Sequence, residues 1–122
     1  MSNKDAALDF LQMVVAGDID AAYERHVAPD LVHHNAYVPA GADALRAAMK
    51  EAHARQPGKV FEVRQAIAGD DRVAVHSHLR FKPEDRGYAV VHLFRFEAGR
   101  IAEMWDMAQE VPADSPNADG LF

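Results

Sequence analysis

Apolar residues recur every three or four positions through the first half of the chain and every second position through the rest, so helices are predicted first and strands afterwards. Ala7, Phe10, Leu11 and Val14 mark a first helix, which Ser2 with Asp5 three residues on can cap and Gly17 can stop. Asp18 then caps a short second helix carrying Ile19, Ala22, Tyr23 and His26, ended by Pro29. Leu31 to Tyr37 is a short extended segment. Pro39 and Gly41 punctuate the chain before a third helix from about Ala42 to Arg55, with Leu45, Ala48, Met49 and Ala52 on one face.

From Lys59 the period becomes two. Val60–Ala68 and Arg72–Phe81 read as strands joined at Asp70-Asp71, Tyr88–Phe96 follows a polar connection, and Glu97–Arg100 turns that strand into one centred on Trp105. Short turns between consecutive strands predict an antiparallel meander. The last dozen residues, with Pro112, Pro116 and Gly120, read as an irregular tail that Leu121 and Phe122 can pin to the body. Helices first and a sheet afterwards make an α+β domain with the helices on one face of the sheet. Both faces are apolar, since Val73, Val75, Leu79 and Phe81 alternate with Ala74, His76, His78 and Arg80, and Ala89, Val91 and Leu93 with Val90, His92, Phe94 and Phe96. One face is expected to cover helices and a cavity. The other, assigned to Val73, Val75, Ala89, Val91, Leu93, Trp105 and Met107, is expected to meet a second copy in a homodimer.

Composition narrows the partners. The 122 residues, 49% hydrophobic and 26% charged, fit one domain spanning residues 1–122. A net charge of -6 and the lack of any basic run argue against nucleic acid or an anionic membrane as partner. The absence of cysteine removes disulfides, thiolate nucleophiles and thiolate metal sites. The first apolar cluster is interrupted by Asp5, Asp9 and Gln12, unlike a signal peptide or membrane span, so the expected location is cytoplasmic.

Chemistry concentrates on Ile101–Gln109. Extended, this stretch puts Ile101, Glu103, Trp105 and Met107 on one face and Ala102, Met104, Asp106 and Ala108 on the other. A carboxylate between Met104 and Ala108 either finds a donor or is driven toward its neutral form by desolvation, one route to a general base; on an edge strand it is simply a solvated Asp. His33, His34, His76, His78 and His92 also fall in extended segments. His76 and His78 share a face, and if it is the face of Asp106, His34 can close the same space, giving imidazoles and a carboxylate in an apolar cup. Taken singly, each histidine is a hydrogen-bonded core or rim residue. The same His-x-His pair with another His and Asp106 could instead ligate zinc or iron, although the other ligands are scattered and the primary expectation is no metal and no cofactor. A serine hydrolase is disfavoured, because Ser77 points away from its neighbouring histidines and no Gly-x-Ser-x-Gly elbow occurs.

Three pieces, Leu31-Val-His-His-Asn, Val73-Ala-Val-His-Ser-His and Val90 through Asp106, together with the order of helices and strands, resemble the SnoaL-like polyketide cyclases of the nuclear-transport-factor-two-like superfamily. The resemblance covers nearly the whole chain. It implies a cone-shaped α+β barrel, a curved antiparallel or mixed sheet wrapped on three N-terminal helices, with a pocket in the cone and commonly a homodimer across the sheet. It also implies that Asp106, at the end of the Trp-Asp motif, is the acid/base of an aldol-type cyclisation or isomerisation of a carbonyl compound. On that reading His34, His76 or His92 donates to the enolate oxygen, Asn35 orients one of them, and His78 joins the cluster; Phe10, Tyr23, Phe94 and Met104 supply apolar walls. The competing expectations are a non-catalytic ligand-binding or dimerisation module of the same fold and the His/Asp metal enzyme.

Overall fold

A computed structural model describes all 122 residues. Helix α1 is Asn3–Ala16, and Ser2 Oγ accepts the Asp5 N–H at 3.0 Å. It stops at Gly17, whose φ of 92° suits a residue without a side chain and where any Cβ would collide with His53. Helix α2 is Ile19–His26; Asp18 occupies its cap position without a side-chain cap bond, its carbonyl accepting the Ala22 N–H at 2.9 Å. Strand β1, Val27–His33, follows at once and runs through Pro29, so the second helix ends before that proline and Tyr37 falls in a turn. At a sheet edge a proline forfeits no necessary ladder bond, which is why β1 tolerates it. Helix α3, Ala42–Arg55, matches its apolar spacing.

Strands β2 (Val60–Gly69), β3 (Arg72–Arg80), β4 (Tyr88–Glu97) and β5 (Arg100–Glu110) form the antiparallel meander, and β1 adds to β5 in parallel. The result is one mixed five-stranded sheet in the order β1-β5-β4-β3-β2. The sheet is open, with β1 and β2 as edges, and so does not close into the expected barrel. The β4–β5 turn places Ala98 and Gly99 at φ of 50° and 77°, the positive values that a two-residue hairpin requires.

Register decides the two faces. Val75 pairs with His92 and His92 with Asp106; Val73 pairs with Phe94 and Phe94 with Met104. These residues therefore share the inner face, where Phe10 of α1 packs edge-on against Tyr23 at 5.7 Å and Phe94 at 6.1 Å. Val73 and Val75 are fully buried there, which corrects their assignment to the outer face. Val91 and Met107 do lie outside, 44% and 66% exposed, and are joined by Val32 and Ile67. The tail returns to this outer surface through Phe122, stacked on His78 at 4.2 Å and His76 at 5.5 Å. No helix is long and apolar enough to cross a membrane.

Candidate active site

Helices α1 and α3 do not cover the whole inner face, and the gap is a cavity of about 760 Å³. Leu11 and Val14 of α1, Met49 of α3, and Phe61, Leu79 and Val90 of the sheet give it apolar walls. Asp106 is its only acidic lining residue, with His92 beside it on the neighbouring strand.

Asp106 has found a donor. Asn35, just past β1, gives its Nδ2 hydrogen to Asp106 Oδ2 at 2.9 Å, while Oδ1 is buried without a hydrogen-bond partner. Asn35 is itself fastened on two further sides: its Oδ1 accepts the Tyr37 N–H at 2.9 Å, and its own N–H donates to His33 Nδ1 at 3.2 Å. Because that ring nitrogen accepts, the proton of His33 belongs on Nε2, which donates to the Pro39 carbonyl at 2.7 Å. A buried histidine thus ties both ends of the loop that carries the donor to Asp106.

His92 is enclosed by Phe94, ring parallel at 5.9 Å, and Phe61, edge-on at 6.1 Å. Its Nδ1 is buried and unpartnered. Burial pushes its pKa down to about 4 against the opposing pull of the Asp106 charge, so the ring is neutral at pH 7. A neutral imidazole retains one N–H to donate and one lone pair to accept.

The other expected residues divide by face. His34 reaches only the cavity rim; its ring stacks on Trp105 at 4.9 Å and its Nε2 lies 2.7 Å from Glu103 Oε2, on the outer side. His76 and His78 are also outside, because they alternate with the inward Val75 and Ser77; His76 meets Gln65, and His78 Nε2 donates to the Arg86 carbonyl at 2.7 Å. They are therefore not brought together with Asp106, and the donor set of the metal reading is split across the sheet: no group of three or more His, Cys, Asp or Glu residues converges. Phe10, Phe94 and Met104 are buried in the core behind the cavity and form no part of its lining. Tyr23 is buried with them, its hydroxyl donating to Met49 Sδ at 3.3 Å, and burial together with the Asp106 charge holds its phenol above the ordinary range.

The apolar wall residues Leu11, Val14, Met49, Phe61, Leu79 and Val90 are not the walls expected from the sequence, and two polar residues carry no expected role either. His33 is one of five histidines in extended segments, and the nearby Asn35 and the one-residue parity offset from His34 are the signals that set it apart. Lys59, where the period of two begins in the sequence, lines the cavity.

A family model described as a SnoaL-like domain matches residues 7–104, so Asp106 lies just past its end. No curated protein gives a significant match. A SnoaL-like polyketide cyclase from Agrobacterium tumefaciens shares the fold with a TM-score of 0.74 at 17% identity, covering 90% of this chain and 93% of its own. An uncharacterised cystatin-fold protein from Novosphingobium aromaticivorans gives 0.75 at 22% identity, covering 88% and 98%. An NTF2-like protein of unknown function from Cytophaga hutchinsonii gives 0.72 at 14%, covering 89% and 91%.

Proposed function

The chain belongs to the SnoaL-like domain family, and from that premise we propose that its cavity carries out acid/base chemistry on a small apolar or polycyclic carbonyl compound, with Asp106 as the base. In an aldol-type closure Asp106 removes a proton from the carbon next to a carbonyl, and the electron pair moves onto the oxygen as an enolate. Neutral His92 donates its N–H to that oxygen. The enolate carbon then attacks a second carbonyl within the same molecule, and the resulting alkoxide recovers the proton from Asp106. An isomerisation uses the same first step and returns the proton to a different carbon.

One observation carries this reading: a carboxylate on the wall of an apolar cavity, anchored through one oxygen by Asn35 and without a hydrogen-bond partner at the other, which is buried. A packing module would fill such a position with an aliphatic side chain, since a buried polar atom without a partner is costly. The test is turnover of cyclic and polyketide-like carbonyl compounds by the parent protein and by Asp106→Asn. Loss of about 10²–10⁴ in rate is expected; equal rates would sink the assignment.

The same reading includes a homodimer through the outer face, supported by exposed Val32, Ile67, Val91 and Met107 around Trp105. Val91→Asp is expected to convert a dimer to a monomer in sedimentation at micromolar concentration. A parent protein that sediments only as a monomer would remove the dimer.

A further inference from the structure

Cations of this acidic chain are paired almost wherever they are partly buried: Arg46 with Asp20, Arg80 with Glu62, and Arg95 with Glu97 and Glu103. Lys59 is the exception. Among the 13 Lys and Arg residues it alone is partly buried with no ion pair, hydrogen bond or aromatic ring for its charge. It lines the cavity, and so does Arg55, whose guanidinium is already tied to Glu51 at 2.8 Å. Desolvation without a compensating anion holds the Lys59 amine below the ordinary lysine value. A half-buried ammonium against apolar walls is unfavourable as it stands, and an anion brought beside it would stabilise its charge.

The sheet places this amine far from the carboxylate. Asp106, His92 and Val75 occupy one row, while Val60, next to Lys59, pairs with Arg80, five residues beyond Val75 (80 − 75) and three strands from β5 (β5-β4-β3-β2). On a flat sheet those offsets are about 14 Å across and about 17 Å along. The cavity therefore has one anionic and one unpaired cationic position toward opposite ends of a mostly apolar wall.

We propose that Lys59 seats the anionic end of the ligand, making the substrate an elongated apolar carbonyl compound with a carboxylate remote from the reacting carbon. This rests on the reading of the cavity as a small-molecule site, and it adds polarity and direction: the charged end lies at Lys59 and the carbonyl end at Asp106.

Calorimetric titration of the intact protein with dodecanoate and with methyl dodecanoate tests it. The carboxylate is expected to bind at least about tenfold more tightly, as one charge-assisted contact allows. Lys59→Met, which keeps an apolar stem, should abolish the preference while the ester still binds. Lys59→Arg should retain the preference, and so should Lys82→Met, which removes an exposed lysine outside the cavity. Equal binding of the two probes by the parent, or a preference that survives Lys59→Met, overturns the anion seat and leaves the small-molecule cavity standing. Binding of neither probe overturns both.

Discussion

The two faces of the sheet carry similar side chains in opposite states. Outside, most charges are matched: Glu103 accepts from His34 and Arg95, His78 donates through Nε2 to a carbonyl, and His76 and His78 stack under Phe122, although His78 Nδ1 and Arg80 Nε have no partner. Inside, His92 Nδ1 and Asp106 Oδ1 are buried with no partner, and Lys59 has no counter-ion. The outer arrangement is what a folded surface does with its charges when nothing else is asked of it. Unmatched groups facing one cavity are kept at a cost to stability, and perturbed groups of that kind gather where chemistry is done. Occurrence of histidine therefore says little here; whether the ring faces the cavity beside a carboxylate says more.

Isosteric substitutions that remove one carboxylate charge from each face should break the symmetry most widely. Asp106→Asn is expected to lower turnover by about 10²–10⁴, whereas Glu103→Gln, three positions away and on the outside, should leave it within a few-fold. Comparable losses from both would dissolve the distinction between the faces.

Next in size is the response to pH. Unfolded His92 takes up a proton near its ordinary 6.5, while the folded ring resists it until about 4. Between those values the unfolded chain binds more protons, so stability falls as pH drops. The contribution is fully present above about 6.5 and, once pH passes below about 4, amounts to a loss of about 3 kcal/mol. Urea unfolding at pH 7 and pH 4.5 should give His92→Phe a shallower dependence than the parent; parallel curves would refute the buried neutral ring.

Removing the anchor is a smaller perturbation. Asn35→Ala strips Asp106 Oδ2 of its donor and the Tyr37 N–H of its acceptor, with an expected cost of about 1–3 kcal/mol in chemical denaturation. The outer counterpart, His34→Gln, loosens a contact between an exposed ring and a carboxylate that Arg95 still holds, and should change stability little. Smallest is His33→Phe, which unties the loop without lining the cavity; the expected signature is a few-fold fall in kcat at unchanged KM, with the fold intact by circular dichroism.

Much of this was legible in the chain. The switch from a three-to-four to a two-residue period located three helices and the four-stranded meander, because amphipathic periodicity records which side of each element meets the core. Parity within β5 separated Asp106 from Glu103 for the same reason: alternation along one strand is a local property. The Asp5 bond to Ser2 and the stop at Gly17 are local too.

What one strand does relative to another is not local, and there the tertiary structure decided. On β3 both sets of alternating residues are compatible with burial, so only pairing with β4 turned Val73 and Val75 inward and His76 and His78 outward. The parallel addition of β1 brought Asn35 to Asp106 across 71 residues of chain, a juxtaposition that no spacing encodes. Sequence determined which residues alternate; register, which depends on the summed fit of all five strands and the helices against them, determined which of them look into the cavity.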